Sequence, residues 1–260
     1  MQPSRLTPRF LEKVWGATHL QPWFPDTAEK IGEVWLEGDP GLPLLIKFLF
    51  TTGKLSVQVH PGDEYAAEHH QSLGKTEMWH VLRAEPGAKI AAGFRQPVTK
   101  AQLEAAARSG EIENLLEWFD ARIGDTFFLP AGTVHAIGPG LVLLEVQQNS
   151  DITYRLYDYG RPRDLHLAHG AAVSSLGPHA ARAVPHGEIL VDCPYFTVSR
   201  LELSGPKQIA ASPLPGYLIV IEGTCEVSGQ STKAGEGWFL PPGLTTEVSG
   251  TAISLLIRAH

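Results

Sequence analysis

Apolar and polar positions alternate most cleanly in Leu55-Ser-Val-Gln-Val-His60, the period-two pattern of a strand with one buried face. Leu55, Val57 and Val59 fall on one side, and Ser56, Gln58 and His60 on the other, which must then face a hydrated pocket. Pro61-Gly62-Asp63 ends the strand. Gly74 to Leu82 alternates in the same way and puts Lys75, Glu77 and Trp79 on one face. Leu42 to Phe50 is a nearly continuous apolar run broken by Lys47, which predicts a strand buried over most of its length. Gly32 to Leu36 and Leu141 to Gln147 are the other strand-like runs of this region; Glu33 is a candidate pocket residue, although a lone glutamate near a strand start is more often solvated. A helical pattern covers Thr99 to Ser109, with Thr99 as N-cap and Gly110 as terminator. Glu111 to Phe119 reads as a second helical piece, and Glu64 to Ser72 as a short surface helix with His69 and His70 solvated. Prolines 3, 8, 22 and 25 make the first thirty residues a loop-rich wrapping segment.

One turn-rich stretch occurs twice. Gly124-Asp-Thr-Phe-Phe-Leu-Pro130-Ala-Gly132-Thr-Val-His135 reads as glycine turn, strand, Pro-x-Gly turn and a strand opening on His135. Gly235 to Thr246 repeats that spacing 111 residues later, with Thr246 in the histidine slot. The G-x5-P-x-G-x2-H spacing resembles the second signature of cupin barrels. The resemblance implies a mainly β chain of two cupin (jelly-roll) barrels with a few short helices, the second barrel lacking metal ligands. The expected boundaries are a catalytic barrel over 1–170 with a helical insert near 99–119, a connector over 171–190, and a degenerate barrel over 191–260.

Composition narrows the function. The chain has 260 residues, enough for two such units. A formal charge of −7 without any basic cluster argues against nucleic-acid binding, although a few local cations can still set the field of one pocket. No apolar run is long enough for a membrane span and no signal core opens the chain, so a cytoplasmic protein is expected. Cys193 and Cys225 fit no metal spacing, which suits a reducing compartment.

Gln58 and His60 from one strand, Glu77 from another and His135 behind its turn are ligand types on pocket-facing positions of separate strands. Such convergence is what a catalytic metal site needs. Two imidazoles, a carboxylate and a carboxamide suit Zn²⁺, one per chain, and also accept Mn²⁺, Fe²⁺ or Co²⁺. His166 and His169, three apart, are expected to be mainly structural.

Gln58-Val-His60-Pro61, Lys75-Thr-Glu77, Pro130 to His135 and Ser150-Asp-Ile-Thr-Tyr-Arg155 occur in the order found in type I mannose-6-phosphate isomerases, and the chain resembles their short bacterial form. Trp15-Gly16 and Gly32-Glu33-Val34-Trp35 add to the likeness. The resemblance implies Zn²⁺ on Gln58, His60, Glu77 and His135, catalysis by Arg155, and substrate contacts from Ser56, Lys75 and Arg161. The implied reaction interconverts mannose 6-phosphate and fructose 6-phosphate through a cis-enediol, with a small-molecule hexose phosphate as partner and neither nucleic acid nor membrane expected. Lys75 and Arg161 are candidates for the phosphate. The proton carrier stays open among Glu145, Asp151, a metal-bound water and a neutral Lys75; Asp151 is alternatively a partner that orients Arg155. A sugar-phosphate-binding bicupin without catalysis is the competing reading.

Overall fold

A computed structural model describes residues 2–39 and 41–260. In chain order its elements are β1 (Ser4–Arg5), β2 (Thr7–Ala17), β3 (Ile31–Glu37), β4 (Leu44–Thr51), β5 (Val57–Val59), α1 (Asp63–His70), β6 (Glu77–Ala84), β7 (Lys89–Phe94), α2 (Lys100–Ser109), α3 (Ile112–Leu115), β8 (Leu116–Asp120), β9 (Thr126–Leu129), β10 (His135–Ile137), β11 (Leu141–Gln148), β12 (Tyr154–Tyr157) and α4 (Leu167–Val173). The C-terminal part adds β13 (Ile189–Asp192), β14 (Phe196–Ser204), β15 (Lys207–Ile209), β16 (Gly216–Val227), β17 (Gln230–Lys233), β18 (Gly237–Leu240) and β19 (Thr246–Ala259). The chain is mainly β, and no helix among the described residues is long and apolar enough to cross a membrane.

Three sheets result. A six-stranded sheet runs β2-β3-β4-β11-β6-β9, and a five-stranded sheet runs β12-β5-β10-β7-β8. An eight-stranded sheet runs β1-β18-β16-β19-β14-β13, with β15 on β19 and β17 on β16. The six-stranded sheet is covered on both faces. Leu49, Trp79, Val81 and Leu143 pack with Ile90, Ala92 and Ile137 of the five-stranded sheet. Ile46, Phe48, Met78 and Leu144 pack instead with Phe196, Tyr217, Ile219 and Leu255 of the eight-stranded sheet. This double burial explains the continuous apolar run of β4, since a strand with two covered faces cannot alternate. The outer face of the five-stranded sheet presents Val57, Val59, Ala91 and Ala136 to Leu103 and Ala107 of α2 and Ala171 of α4. Gln58 is thereby turned the other way, into the space between the first two sheets.

Thr99 caps α2 through a reciprocal box with Gln102, and Gly110 closes the helix in the left-handed region, as expected. Two expectations are corrected. The second helical piece is only Ile112–Leu115, after which Leu116–Asp120 pairs with β7, because Leu116, Trp118 and Phe119 serve better as strand residues on that sheet edge. The N-terminal segment is not mainly loop: β2 pairs along β3, and Ser4 and Arg5 pair with Phe239 and Trp238 of the eight-stranded sheet. Its prolines sit where no ladder donor is needed, Pro8 on the edge strand β2.

The sequence repeat has a structural counterpart. Gly124 and Gly132 both have φ +87°, and Gly235 and Gly243 have +92° and +74°. Strands β9 and β18, and the starts of β10 and β19, keep the 111-residue offset.

Candidate metal centre and substrate cavity

Strand register brings the first-half residues to one point. His135 opens β10 and pairs across to Gln58 of β5, while Glu77 opens β6 beside Gln147 and Leu129. His60 follows β5 directly, its direction fixed because Gly132 donates its backbone N–H to the His60 carbonyl. Ligand atoms of His60, Glu77 and His135 lie within 4.8 Å of one another, all three side chains buried. Glu77 Oε1 is 3.6 Å from His60 Nε2 and 3.4 Å from His135 Nε2.

Hydrogen bonds fix which nitrogen each imidazole offers. His60 Nδ1 lies 2.7 Å from the Ile152 carbonyl and His135 Nδ1 2.9 Å from the Thr133 carbonyl. Carbonyls only accept, so each Nδ1 carries the proton and each Nε2 presents a lone pair to the shared point. Glu77 Oε1 is buried without a hydrogen-bond partner. An orphaned carboxylate oxygen facing two imidazole lone pairs is what a bound cation would satisfy, so the residues fit a metal ion. Gln58 turns Nε2 toward His135, 3.2 Å away, and its Oε1 accepts from Ser56 Oγ at 3.0 Å. It would serve as a ligand only with its amide turned over.

Electrostatics reinforce the site. Burial pushes His135 down to about 3. It lowers His60 as well, with Lys75 adding to the effect. Both rings are neutral, as metal ligands must be. For Glu77 burial acts upward, but Lys75, then His60 and His135, hold the carboxyl well below its usual range. Lys75 donates to Glu77 Oε2 and lies 3.1 Å from His60 Nε2. Burial alone would depress its pKa, yet Glu145 and Glu77 raise it, so in this arrangement Lys75 is an ammonium and not a neutral base.

Above this centre opens a cavity of ≈ 320 Å³. Ser56, Gln58, Lys75, Glu145, Asp151 and Arg155 all line it. Trp79 Nε1 donates to Glu145 Oε2 at 3.0 Å. Lys47 and Lys75 approach Glu145 Oε1 to 3.3 and 3.6 Å without directed hydrogen bonds. Arg155 donates one Nη1 bond to the Asp164 carbonyl and keeps Nε buried and unpartnered.

Arg161 is not on the lining; it pairs with Asp158 at 2.9 Å and donates to the Lys54 carbonyl. Arg163 lines the cavity instead, held by a two-point bond to Asp158. Asp151 has no ion-pair contact with Arg155 among the described residues; His166 Nδ1 accepts the Arg155 backbone N–H.

Charged lining residues also come from outside the expected set. Lys47 is buried on the cavity face of β4, 4.8 Å from the Trp35 ring. Glu33 is not solvated: it accepts from Trp35 Nε1, lies 3.2 Å from Lys13 Nζ and is 3.8 Å from Lys47. Burial raises its pKa, but Lys47 and Lys13 more than reverse that, leaving it lowered. A lone lysine amid eight buried strand positions was the available signal for Lys47. His69 and His70 are exposed, as expected; His69 also stacks on Tyr65, and His70 Nε2 meets Tyr154 Oη at 2.6 Å. His169 bonds Tyr65, and with His166 it is structural as expected.

No protein-family model matches the chain. It is 35% identical to Mannose-6-phosphate isomerase ManA of Bacillus subtilis (strain 168), over 94% of this chain and 94% of that protein. It is 41% identical to Mannose-6-phosphate isomerase of Streptococcus mutans serotype c, over 68% of this chain and 60% of that one. The crystal structure of mannose 6-phosphate isomerase from Bacillus subtilis superposes with a TM-score of 0.86 at 29% identity, covering 99% of each chain. With a buried His-Glu-His convergence beneath a charged cavity, and this likeness over nearly the whole chain, the protein belongs to the mannose-6-phosphate isomerase family.

Proposed function

We propose that this chain interconverts mannose 6-phosphate and fructose 6-phosphate at the cavity above His60, Glu77 and His135, using one Zn²⁺ held by those residues and Gln58. The observation that carries the reading is the orphaned Glu77 carboxylate oxygen between two imidazole lone pairs at the floor of the cavity. The donor set of two nitrogens and a carboxylate suits Zn²⁺ and also accepts Mn²⁺, Fe²⁺ or Co²⁺. A divalent cation so held supplies Lewis-acid stabilisation of negative charge on a sugar oxygen.

The chain's own residues do the rest. The cavity wall carries five cations (Lys13, Lys47, Lys75, Arg155, Arg163) against three carboxylates (Glu33, Glu145, Asp151), although the whole chain carries −7. That local surplus attracts a phosphate that the net charge would repel. Lys13 and Arg163 are only partly buried and stand as the phosphate's contacts, in place of Arg161. Proton transfer between C1 and C2 builds charge on an enediolate, and the free Nε–H of Arg155 is a donor for it. Glu145, fixed by Trp79 and flanked by Lys47 and Lys75, is the carboxylate placed to move the proton; Ser56 orients Gln58.

The domain reading rests on matching registers. His135 pairs with Gln58, and Thr246 with Ile209; Glu77 pairs with Leu129, and Gly216 with Leu240. The slots of Gln58, Glu77 and His135 are thus Ile209, Gly216 and Thr246 in the second half. We read this as a degenerate cupin barrel without metal, beginning near residue 189 and capped by β1. The Arg258 guanidinium, 2.5 Å from where a Gly216 side chain would start, takes the space that Glu77 has in the first half. Two unpaired, buried cysteines support a cytoplasmic location.

A coupled assay for fructose 6-phosphate formation tests the reading. Wild type should turn over mannose 6-phosphate, and Arg155→Ala should lower kcat by about 10²–10³ with metal content unchanged. Folded, metal-loaded wild type that turns over no hexose phosphate would favour the non-catalytic bicupin.

A further inference from the structure

A larger cavity lies outside the catalytic one. It measures ≈ 680 Å³ and sits in the seam where the six-stranded sheet meets the eight-stranded sheet. Strand β6 links the two cavities: Glu77 and Trp79 face the metal centre, and the alternate residue His80 faces the seam. His80 is 4% exposed, and its Nδ1 is 2.9 Å from Thr126 Oγ1, its ladder partner on β9. Its Nε2 has no partner among the described residues and is not sealed within the protein, so it opens onto the cavity. A solvent molecule or a polar group of a ligand in the cavity can therefore meet that nitrogen.

The walls describe what that is. Leu82, Ile221 and Ile253 are apolar, and Ile123, 70% exposed, forms a greasy lip. Arg83, Arg200 and Lys233 bring three cations, against a single lining carboxylate, Glu222. Arg83 is anchored on the Gln21 carbonyl and over the Trp23 ring, while Arg200 pairs with the exposed Glu202, which offsets part of its charge. Apolar walls with a few convergent polar groups at the junction of two units are the usual form of a small-molecule site.

We propose that this seam binds a small organic anion with an apolar body, its anionic group held by Arg83, Arg200 and Lys233 within the reach of His80 Nε2. An anionic oxygen selects the tautomer in which Nε2 carries the proton and the Thr126 hydroxyl donates to Nδ1. The site is separate from the isomerase cavity and does not depend on that activity.

The test titrates the full chain with 8-anilino-1-naphthalenesulfonate, a fused aromatic body bearing one sulfonate, by fluorescence and calorimetry near neutral pH. One-to-one saturable binding is expected. Lys233→Ala, a change at an exposed position, and Arg200→Ala should each weaken it about tenfold, the loss of one charge-assisted bond. His80→Phe should weaken it as well, whereas Arg155→Ala in the other cavity should leave it unchanged. No saturable binding, a stoichiometry above one, or affinity that survives both cation variants would overturn the proposal. So would loss of binding in Arg155→Ala.

Discussion

His80 and His135 are imidazoles that burial keeps neutral, and this sets the acid limb of stability. Burial, with Arg200 nearby, lowers His80 from 6.5 to about 4. The unfolded chain therefore binds the proton first, so stability is full above about pH 6.5 and declines as pH falls toward 4. For His80 alone the loss approaches roughly 3 kcal/mol, from about 1.4 kcal/mol per tenfold difference in proton affinity. Urea denaturation of wild type and His80→Gln between those limits should show a shallower pH slope in the variant; equal slopes would remove His80 from the account. At this scale the candidate ligands stand out in the sequence and their surroundings do not. Gln58, His60, Glu77 and His135 stand out because polar groups recur on one face of alternating strands. Glu33 and Lys47 do not, because each is explained only by the other, and their pairing across β3 and β4 is a tertiary fact. Arg161 and Arg163 are two residues apart in one loop, where no periodicity tells which faces the cavity.

The element that positions His135 is the turn before it. Gly132 adopts φ +87°, and a side chain there would begin 2.9 Å from the Val173 carbonyl oxygen. Gly124 has the same φ with open space around it. Gly124→Ala should thus cost only the left-handed strain, about 1–2 kcal/mol, without moving His135. Gly132→Ala should cost more and also weaken metal binding, because the turn must shift against α4. Equal denaturation midpoints and equal metal affinity for the two variants would contradict this. The turn was readable from its Pro-x-Gly spacing, as was α2 from its cap. The residues after α3 were misread as helix because polar and apolar residues are mixed there; packing against β7, absent from any local pattern, decides for strand.

Over the whole molecule, two covered faces of one sheet hold the halves together, and the N-terminal segment stitches them. Trp23 Nε1 donates to the Ile221 carbonyl at 2.8 Å while its ring packs near Phe48 and Phe50. The repeat announced two similar halves, but the stitching was hidden, since nothing local marks Ser4 and Arg5 as partners of β18. If the second half lacks ligands at every matching register, restoring one cannot rebuild a site. Thr246→His should leave metal stoichiometry at one per chain, and a second bound equivalent would refute the register argument. In the proposed reaction His60, Glu77 and His135 hold one cation on which isomerisation depends. The most direct measurement strips the metal with chelator, adds Zn²⁺ in steps, and follows bound metal and mannose 6-phosphate turnover together in wild type and Glu77→Gln. Activity rising in proportion to occupancy and saturating at one Zn²⁺ per chain, with neither binding nor turnover recovered in the variant, is the predicted result. Full turnover by the metal-stripped wild type, or a Glu77→Gln variant that binds Zn²⁺ and works as well as wild type, would contradict it.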